Sequence, residues 1–437
     1  MPSIPPGTFP ERLQSLFGLA VFTLLAFGIG RLRGHRERVP VRTLIWGFVL
    51  QFAFGAIVVW NRYFLILINN AVDALLACTA DGAKLVFGDL SRLAGPEVLD
   101  NGGRVVGYAQ NVGFFAFFVL PTIIFFACLT AVLYHSGVMQ YVVQGLAWVM
   151  SKTMGTSGAE TLSSAANIFV GQTEAPLMVK PFIAAATRSE LMAIMVGGFA
   201  NIASGVLGLY TVWLRPYIPD AAGHLAAACF ITAPGSLLIA KLMVPERETP
   251  ETAGGVEFKV QRIDANLVDA AARGTSEGLG LALNVAAMLI AFTALVSLIN
   301  GILGWGSSHV GLSDPLTLER VLGWIFRPFA WLIGVSWTES QNVGSLLGVK
   351  TVLNELIAYS QMKDKLATPG FLSPRSTLLA TYALCGFANF ASVGIQVGGI
   401  ASLAPSRRAD LSRIGLLAMA GGAISSLMAA CVVGVLW

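Results

Sequence analysis

The sequence predicts an all-α polytopic membrane protein with eight transmembrane helices, two re-entrant helical hairpins in inverted repeats, and interfacial helices. Of the 437 residues, 55% are hydrophobic and only 12% are charged, whereas soluble domains carry about 25% charged residues. Several charge-free runs exceed the roughly 20 residues that cross a bilayer. In addition, two of these runs share a near-copied motif, GFANIASG at 198–205 and GFANFASVG at 386–394.

Eight apolar runs are long enough to be transmembrane helices. In chain order they are 13–30, 43–60, 112–134, 191–214, 224–240, 279–304, 376–404 and 414–437. The first run precedes its arginines, whereas a signal peptide has its positive charge before the apolar segment, so we expect a retained helix. The five cysteines lie in apolar segments without metal-binding spacing and are expected to be small buried residues.

Residues 64–88 differ from the spanning runs because polar and apolar side chains separate onto two faces. Asn69, Asp73 and Lys84 mark the polar face, and Leu75 and Phe87 belong to the apolar one. This pattern predicts a helix that lies along the membrane interface. A tilted helix covered by protein is the alternative. The polar, Gly- and Pro-containing segments 89–110 and 246–260 are predicted to be loops.

Positive charges in the loops set the orientation, because cytoplasmic loops are enriched in Lys and Arg. Five arginines follow the first span, which predicts a cytoplasmic loop there and an N-terminus outside. The loops at about 245–275 and 405–413 also fit the cytoplasmic side. The basic residues used for this prediction are Arg31, Arg33, Arg36, Arg38, Arg42, Arg247, Lys259, Arg262, Arg273, Arg407, Arg408 and Arg413.

Each copy of the motif follows a short, semi-apolar segment with a central glutamate. These segments are NIFVGQTEAPLMVKPFI at 167–183, with Glu174, and SLLGVKTVLNELIAY at 345–359, with Glu355. Neither segment is suited to a continuous spanning helix, because each has a glutamate at its centre near Gly, Pro or Asn. We therefore predict two re-entrant hairpins of opposite orientation. Inverted repeats with interrupted helices indicate the midplane site of a secondary transporter.

The repeats divide the chain into four regions. Residues 1–156 are predicted to be scaffold helices, and residues 157–242 form the first transport repeat. Residues 243–336 return to the scaffold with a cytoplasmic loop, a span and an interfacial helix. Residues 337–437 form the second transport repeat.

The GFAN-x-AS motif predicts the point at which a spanning helix breaks. Gly and Ser loosen the helix, and the Asn amide can face a polar substrate or a cation. The alternative is that small residues only permit close helix packing. A glutamate within the membrane is costly, by roughly 2.5–3.5 kcal/mol on insertion scales, which favours a functional role. Pairing of Glu174 with Lys180 is the structural alternative for that residue.

The two hairpin segments and the block LSPRSTLLATYALCGFANFASVGI at 372–395 resemble the concentrative nucleoside transporter family. The resemblance runs from about residue 40 to the C-terminus, and its GQTEAP and CGFANF-x-S motifs are specific. It implies a bacterial inner-membrane homotrimer in which the two hairpin units move as an elevator against a scaffold embedded in the lipid bilayer. It also implies transport of a nucleoside such as uridine, and no catalytic residue.

The resemblance also implies the substrate-binding residues. Those facing the nucleobase would be Gln172, Thr173 and Glu174, with Val206 beside the base. Those holding the ribose would be Glu355, Asn389 and Ser392, with Phe387 next to the pocket. These residue types suit a neutral nucleoside, since carboxylates and amides bind hydroxyl groups and base edges. The absence of a strong basic cluster argues against nucleotides and nucleic acid.

The family pattern further implies a sodium site, with no other cofactor. Its ligands would be the Asn167 and Asn201 side chains and the carbonyls of Val170, Asn201 and Ile202. Position 201 departs from the sodium-coupled bacterial pattern, in which serine stands there, so proton coupling is an alternative. Other function classes are an intramembrane enzyme using His135 or His224, a channel, and a carrier of amino acids or dicarboxylates. Both histidines are expected to be interfacial side chains.

Overall fold

The structure is a computed structural model that describes residues 4–35, 40–91, 97–100, 102, 104–108, 115–254, 264–309 and 314–437. Within these residues the chain is almost entirely helical. Arg36, Arg38, Lys259 and Arg262, which contributed to the predicted orientation, lie outside the described residues.

The helices of the N-terminal region occupy most of residues 9–154. In chain order they are α1 (Phe9–Leu32), α2 (Val41–Trp60), α3 (Arg62–Phe87), α4 (Phe115–Phe118), α5 (Leu120–His135) and α6 (Val138–Met154). A capping box between Thr8 and Glu11 starts α1, and Gly155 in the left-handed conformation ends α6.

One antiparallel pair of strands, β1 (Glu97–Leu99) and β2 (Val105–Tyr108), interrupts the helices. The prediction that 89–110 is only a loop was therefore wrong for these residues. The carboxylate of Asp100 accepts hydrogen bonds from the backbone N–H groups of Gly102 and Arg104, at 2.8 Å each. This Asx turn reverses the chain, and valines on both sides favour the paired strands.

The first repeat contains five helices and one short 3₁₀ segment, Ala175–Val179. The helices are α7 (Gly158–Ala166), α8 (Lys180–Ile183), α9 (Arg188–Ala200), α10 (Ser204–Leu214) and α11 (Ala221–Met243). The predicted span at 191–214 is thus broken between α9 and α10, at residues 201–203, which lie inside the first GFAN-x-AS motif.

Two helices connect the repeats, α12 (Leu267–His309) and α13 (Leu318–Leu332). The 43 residues of α12 extend for about 65 Å, well beyond the roughly 30 Å of a hydrocarbon core. The helix therefore begins well before the predicted span 279–304. It packs along α5, where Gly274 and Gly278 face the backbone of α5 closely.

The second repeat has the same order of elements as the first. Its helices are α14 (Ser340–Val352), α15 (Glu355–Leu366), α16 (Pro374–Leu384), α17 (Phe390–Leu403) and α18 (Arg408–Leu436). The predicted span at 376–404 is broken at residues 385–389, inside the second motif. Helices α9, α11 and α18 are mostly buried and form the core, whereas α3 and α12 are mostly exposed.

Eight helical stretches among the described residues are long and apolar enough to cross a membrane. They are Phe9–Leu32, Val41–Trp60, Tyr63–Ser91, Ala116–His135, Arg188–Leu214, Ala221–Met243, Leu267–His309 and Pro405–Leu436. The number of candidate spans equals the predicted number, but one of the eight stretches is a different part of the chain. The break in the second repeat leaves two helices that are each too short to count. Instead, the stretch 63–91, which contains the residues 64–88 predicted to lie at the interface, is long enough.

The start and end of the first hairpin are fastened together by Glu190. Its carboxylate accepts hydrogen bonds from Ser157 Oγ at 2.6 Å and from the backbone N–H of Thr187 at 2.9 Å. Ser157 caps α7 and Thr187 caps α9. The hairpin therefore enters and leaves at the same end of the molecule. Lys241 of α11 forms a buried ion pair with Glu160 of α7 at 2.7 Å at this base.

Glu339 connects the start and the end of the second hairpin in the same way. It precedes α14, and its carboxylate accepts hydrogen bonds from Ser373 Oγ at 3.0 Å and from Ser376 Oγ. Ser373 is the cap of α16. The second hairpin therefore also starts and ends at one end of the molecule.

The two hairpin bases lie at opposite ends of α18. At its start, Arg407 donates to the carbonyls of Ala184 and Ala186, beside the first base. At its end, the Gly434 carbonyl accepts a hydrogen bond from Arg375 of α16, beside the second base, at 2.8 Å. Because α18 has 29 residues, the bases are about 43 Å apart. The two hairpins enter the molecule from opposite sides, as the sequence predicted.

Candidate functional site

Two helices begin at the tip of the second hairpin and at the second break. Asn354 caps α15 by accepting a hydrogen bond from the N–H of Ile357 at 2.9 Å. Asn389 caps α17 in the same way, accepting from the N–H of Ser392 at 2.8 Å. Helix N-termini carry partial positive charge and free N–H groups. The site is therefore built where two such ends converge inside the protein.

The Glu355 carboxylate is the most buried acidic group of this region, with only 5% of the residue exposed. Asn389 Nδ2 donates to one carboxylate oxygen at 3.1 Å, and the Tyr210 hydroxyl donates to the other at 3.1 Å. These three residues come from α15, the second break and α10. Each carboxylate oxygen retains a further lone pair for a ligand hydroxyl.

Gln172 and Ser392 extend this network to the first hairpin. Gln172 Nε2 donates to Ser392 Oγ at 3.3 Å, and Gln172 Oε1 accepts from Gln396 Nε2 at 3.1 Å. Gln396 also donates to the carbonyl of Met195 in α9 at 3.2 Å. The tip of the first hairpin and the start of α17 are thus connected through buried polar side chains, which brings two of the predicted site residues, Gln172 and Ser392, into contact.

Glu174 lies apart from this network, on the wall of a cavity of about 220 Å³. The residue as a whole is accessible from this cavity, and its carboxylate lies against Gly171, where an added Cβ would be 2.3 Å from Oε2. Ligand pockets are usually roughly 300–1,000 Å³, so this cavity is large enough for only part of a small ligand. Thr173 is half-buried and Val206 is buried close by in α10.

Charged residues of α12 form the opposite wall of the cavity. Arg273 and Glu277 contribute to the lining and form an ion pair at 2.9 Å. Arg273 also binds both oxygens of Asp264, at 2.6 and 2.9 Å. These hydrogen bonds hold the pKa of the Asp264 carboxyl below its usual value, which keeps the pair charged at neutral pH. The cavity is therefore lined by the first repeat, by α12 and also by α5, which contributes Ala127, Thr130, Ala131 and Tyr134.

The two helix breaks cross next to each other. A Cβ at Gly386 would be 2.7 Å from the carbonyl oxygen of Ala200 and 2.9 Å from that of Phe199. Gly386 also has a φ of +144°, a conformation that other residues rarely adopt. Phe387, predicted to lie beside the pocket, is half-buried in the second break. The close crossing brings the groups of both repeats into one region.

Two of the predicted cation ligands, Asn167 and Asn201, lie next to Gly197 in the last turn of α9. Asn201 Nδ2 donates to the carbonyl of Gly197 at 3.2 Å, and Asn201 Oδ1 accepts from Thr232 Oγ1. Asn167 of the first hairpin lies beside Gly197, with Nδ2 3.4 Å from the position a Cβ would take there. Val170 and Ile202, whose carbonyls were predicted as ligands, are both buried close to these groups in sequence.

Unsatisfied oxygens at this point fit a sodium ion. Asn167 Oδ1 and the Oγ atoms of Ser163 and Ser164 are buried without a hydrogen-bond partner among the described residues. Buried polar atoms are normally paired, and uncharged oxygens together with helix C-terminal carbonyls are suitable ligands for a hard cation. Asn167 is therefore the residue of this group that would bind the ion most directly.

Sequence reasoning missed two members of the site, Tyr210 and Gln396. Gln396 interrupts the apolar run SVGIQVGGI, and an isolated polar residue at membrane depth is a signal for function. Tyr210 carried no such signal, because its hydroxyl points to Glu355 only through the tertiary fold. His224 corrects another prediction, since it is buried against Tyr382 at 2.9 Å instead of being interfacial. The helices α3 and α16 cover the start of α11 there.

Three family models match successive parts of the chain. The model of the Na⁺-dependent nucleoside transporter N-terminus matches residues 17–90, a nucleoside recognition (Gate) model matches 116–214, and the Na⁺-dependent nucleoside transporter C-terminus matches 224–434. A relative from Bacillus subtilis (strain 168), the uncharacterized transporter YutK, is 40% identical over 97% of this chain and 98% of its own length. The chain belongs to the concentrative, Na⁺-dependent nucleoside transporter family.

Mammalian relatives of this concentrative nucleoside transporter are longer. Sodium/nucleoside cotransporter 1 of Rattus norvegicus is 39% identical over 98% of this chain, and solute carrier family 28 member 3 of Mus musculus is 37% identical over 98%. The chain spans 64% and 59% of these two proteins. The likeness therefore covers only about three fifths of each of these relatives.

Solved structures of CNTnw have the same fold. The inward-facing, substrate-bound structure is 40% identical, covers 98% of both chains and gives a TM-score of 0.85. A doubly substituted variant in an outward-facing state gives a TM-score of 0.88 at 40% identity. These matches confirm the predicted helical membrane fold and the predicted family of this transporter.

Proposed function

We propose that this chain is a Na⁺-coupled symporter that imports nucleosides across a bacterial inner membrane. Its N-terminus lies outside, and it works as a homotrimer by elevator-type alternating access. In this proposal, residues 1–156 and 243–336 form the scaffold, and residues 157–242 and 337–437 move. Proton coupling is the alternative for the driving ion. Family membership supports transport of nucleosides, and the inverted hairpins support alternating access.

The observation that carries the proposal is the continuous polar network from Gln172 through Ser392 and Asn389 to Glu355. It joins the first hairpin, the second break and the second hairpin, and it is enclosed by apolar core. A nucleoside is neutral and offers donors and acceptors at both ends. The proposed network has a carboxylate at one end and amides at the other, which suits this polarity pattern.

The ribose is proposed to bind at the Glu355 end. A carboxylate can accept hydrogen bonds from the 2′ and 3′ hydroxyls at once, and the Asn389 amide can donate and accept. Ser392 lies one turn into α17 and adds a hydroxyl. Phe387 is proposed to pack beside the sugar. Hydrogen bonds to a charged group are worth about 1.5–3 kcal/mol each, so this end is expected to supply most of the affinity.

The base is proposed to bind between Gln172, Thr173 and Glu174, beside Val206. The cavity next to Glu174 is lined by polar and apolar groups, which suits the edge and faces of a flat base, with water completing some contacts. The sodium ion is proposed to bind Asn167 and Asn201 with the carbonyls of Val170, Asn201 and Ile202. The unpartnered Asn167 oxygen supports this assignment.

Uptake of radiolabelled uridine into proteoliposomes tests the driving ion. One set of vesicles receives an inward Na⁺ gradient, and a second set receives an inward proton gradient at equal Na⁺. We expect accumulation with the Na⁺ gradient alone. Accumulation with the proton gradient alone would keep the nucleoside carrier and refute the sodium site. Absence of both, in vesicles that contain folded protein, would contradict the proposed function.

Competition by a 2′,3′-dideoxynucleoside tests the ribose end. We expect inhibition of uridine uptake to need at least tenfold more dideoxyuridine than unlabelled uridine, because each missing hydroxyl leaves part of a buried site unpaired, at about 1–3 kcal/mol. Uridine monophosphate serves as the second competitor and should bind more weakly than uridine, since the proposed substrate-binding residues include no Arg or Lys to pair with its phosphate. Equal competition by dideoxyuridine would reject Glu355 as the ribose ligand.

A further inference from the structure

A buried lysine of α14, the first arm of the second hairpin, contacts the C-terminal end of α16. Only 3% of Lys350 is exposed, and its Nζ donates to the carbonyl oxygen of Ala383 at 2.9 Å. Ala383 belongs to the last turn of α16, whose carbonyls have no partner within the helix and carry partial negative charge. The Tyr359 hydroxyl donates to a second carbonyl of that turn, Thr381, at 2.7 Å.

The corresponding place in the first repeat is the C-terminal end of α9. There the hairpin presents oxygen atoms instead of a cationic donor. The first hairpin brings oxygen acceptors to this end, namely Asn167 Oδ1 and the Ser163 and Ser164 hydroxyls, all buried and without a hydrogen-bond partner among the described residues. The serine hydroxyls can donate as well as accept, whereas Asn167 Oδ1 can only accept. An acceptor beside helix C-terminal carbonyls is stabilised by a cation between them. In the second repeat, the hairpin itself supplies an ammonium group and a hydroxyl.

We propose that Lys350 is a tethered cation, which takes in the second repeat the place that the coupling Na⁺ takes in the first. In this position it holds the second hairpin against the broken helix α16 and thereby positions Glu355 for the substrate. The inference rests on the proposed function and adds that each protomer binds one coupling ion. The second repeat needs none, because its cation is covalently attached.

A purely packing role does not account for a charged group at this position. Burying an ammonium group is costly unless it is paired, and an apolar side chain of similar length would fill the same space. Glu355, the buried carboxylate of the site, belongs to the same hairpin. The two charges lie at the two ends of the hairpin tip, five residues apart, so the lysine also compensates the charge of the substrate-binding glutamate.

The first experiment counts bound ions. Equilibrium binding of radiolabelled Na⁺ to the purified wild-type protein, with saturating uridine, is expected to give one ion per protomer. Two ions per protomer would overturn the tethered-cation proposal, because the second repeat would then have its own Na⁺. No bound ion, together with proton-driven uptake, would refute the sodium site of the proposed function instead.

The second experiment replaces the lysine and supplies a free cation. Lys350→Ala is expected to lower uridine uptake at least tenfold, as for loss of a buried charged group, and millimolar methylammonium is expected to restore most of it. Choline at equal ionic strength should not restore uptake. In the isosteric, uncharged Lys350→Met, methylammonium should have no effect because the space is filled. Lys363→Met, at an exposed position of α15, is the control with unchanged uptake.

Radiolabelled Na⁺ binding keeps this test interpretable, since both Lys350 variants should retain the ion in the first repeat if they fold. Wild-type uptake by Lys350→Met would overturn the proposal. Failure of methylammonium to restore any uptake in Lys350→Ala that still binds Na⁺ would overturn it as well. If Lys350→Ala does not fold, uptake by Lys350→Met and the wild-type ion count decide the question.

Discussion

The two repeats carry the same pattern, GFAN-x-AS, but their helices break at different places within it. In the first repeat, α9 continues through Ala200, and Asn201 is the residue that ends it. In the second, α16 already ends at Leu384, and Asn389 begins the next helix as its cap. Equivalent asparagines therefore serve opposite helix ends, one with carbonyls and one with N–H groups.

In the proposed function, this difference suits the first break to a cation and the second break to the ribose. Asn201 lies at a helix C-terminus, which favours a cation, whereas Asn389 lies at a helix N-terminus and donates to Glu355. The first hairpin supplies oxygen acceptors and the second supplies Lys350. A near-identical sequence thus serves two chemistries because the surrounding hairpins differ. The following predictions test this comparison.

The largest effect is expected from the equivalent glycines. Gly386→Ala should lower the unfolding midpoint and the folded yield strongly, because φ is +144° and the new Cβ would meet two backbone carbonyls of α9. Strain and overpacking cost about 1–3 kcal/mol each. In Gly198→Ala the new Cβ would contact the end of the Gln396 side chain, which can move away. The unfolding midpoint of this variant should therefore fall much less. Thermal denaturation of both variants measures this, and equal midpoints would remove the asymmetry.

The next effect concerns the two hairpin glutamates. Glu355→Gln should reduce uridine uptake about 10- to 150-fold, because a buried charged hydrogen-bond acceptor is lost, while trimer assembly remains intact. Glu174→Gln should reduce uptake less, since Glu174 is exposed in its cavity. Asp364→Asn on the exposed side of α15 is the matched control. A larger loss in Glu174→Gln than in Glu355→Gln would reverse the assignment of the two hairpins.

A smaller effect should separate the ion from the substrate. Asn167→Ala is expected to raise the Na⁺ concentration for half-maximal uptake up to about tenfold, by roughly 1 kcal/mol for one lost ligand. The uridine concentration for half-maximal uptake, measured at saturating Na⁺, should stay near the wild-type value. Asn70→Ala, at an exposed position of α3, is the control. A change confined to the uridine dependence would place Asn167 in the substrate site.

The smallest effect is expected at Gln396, which bridges the repeats through Gln172 and Met195. Gln396→Leu should raise the half-saturating uridine concentration about two- to tenfold, because the proposed site residue Gln172 loses one uncharged hydrogen bond, of about 0.5–1.5 kcal/mol, and the site keeps its carboxylate. Ser402→Ala near the exposed end of α17 is the control. Unchanged uridine dependence would show that the Gln172–Gln396 contact is dispensable.

Much of this architecture follows from the sequence because apolar run length and interrupted helices are local properties. The breaks near residues 201 and 389 and the opposed hairpins were predictable from Gly, Asn and Glu in apolar runs. The exact residues at which the helices end and begin were not predictable, because they depend on the close contact between Gly386 and the backbone of α9. Tyr210 and Lys350 acquire their roles from partners 145 and 33 residues away, which no local pattern specifies.

The length of α12 has a consequence for the depth of the cavity. Its charge-free part, 279–304, extends for about 39 Å with its middle near residue 291, whereas the cavity touches α12 at Glu277 and Leu281, about 15–21 Å from that middle. The cavity therefore lies near one end of the charge-free part of α12, far from its middle. In the proposed alternating-access cycle, the route from the cavity to the nearer membrane face is therefore short, and a substrate still has to cross most of the hydrocarbon core to reach the other face.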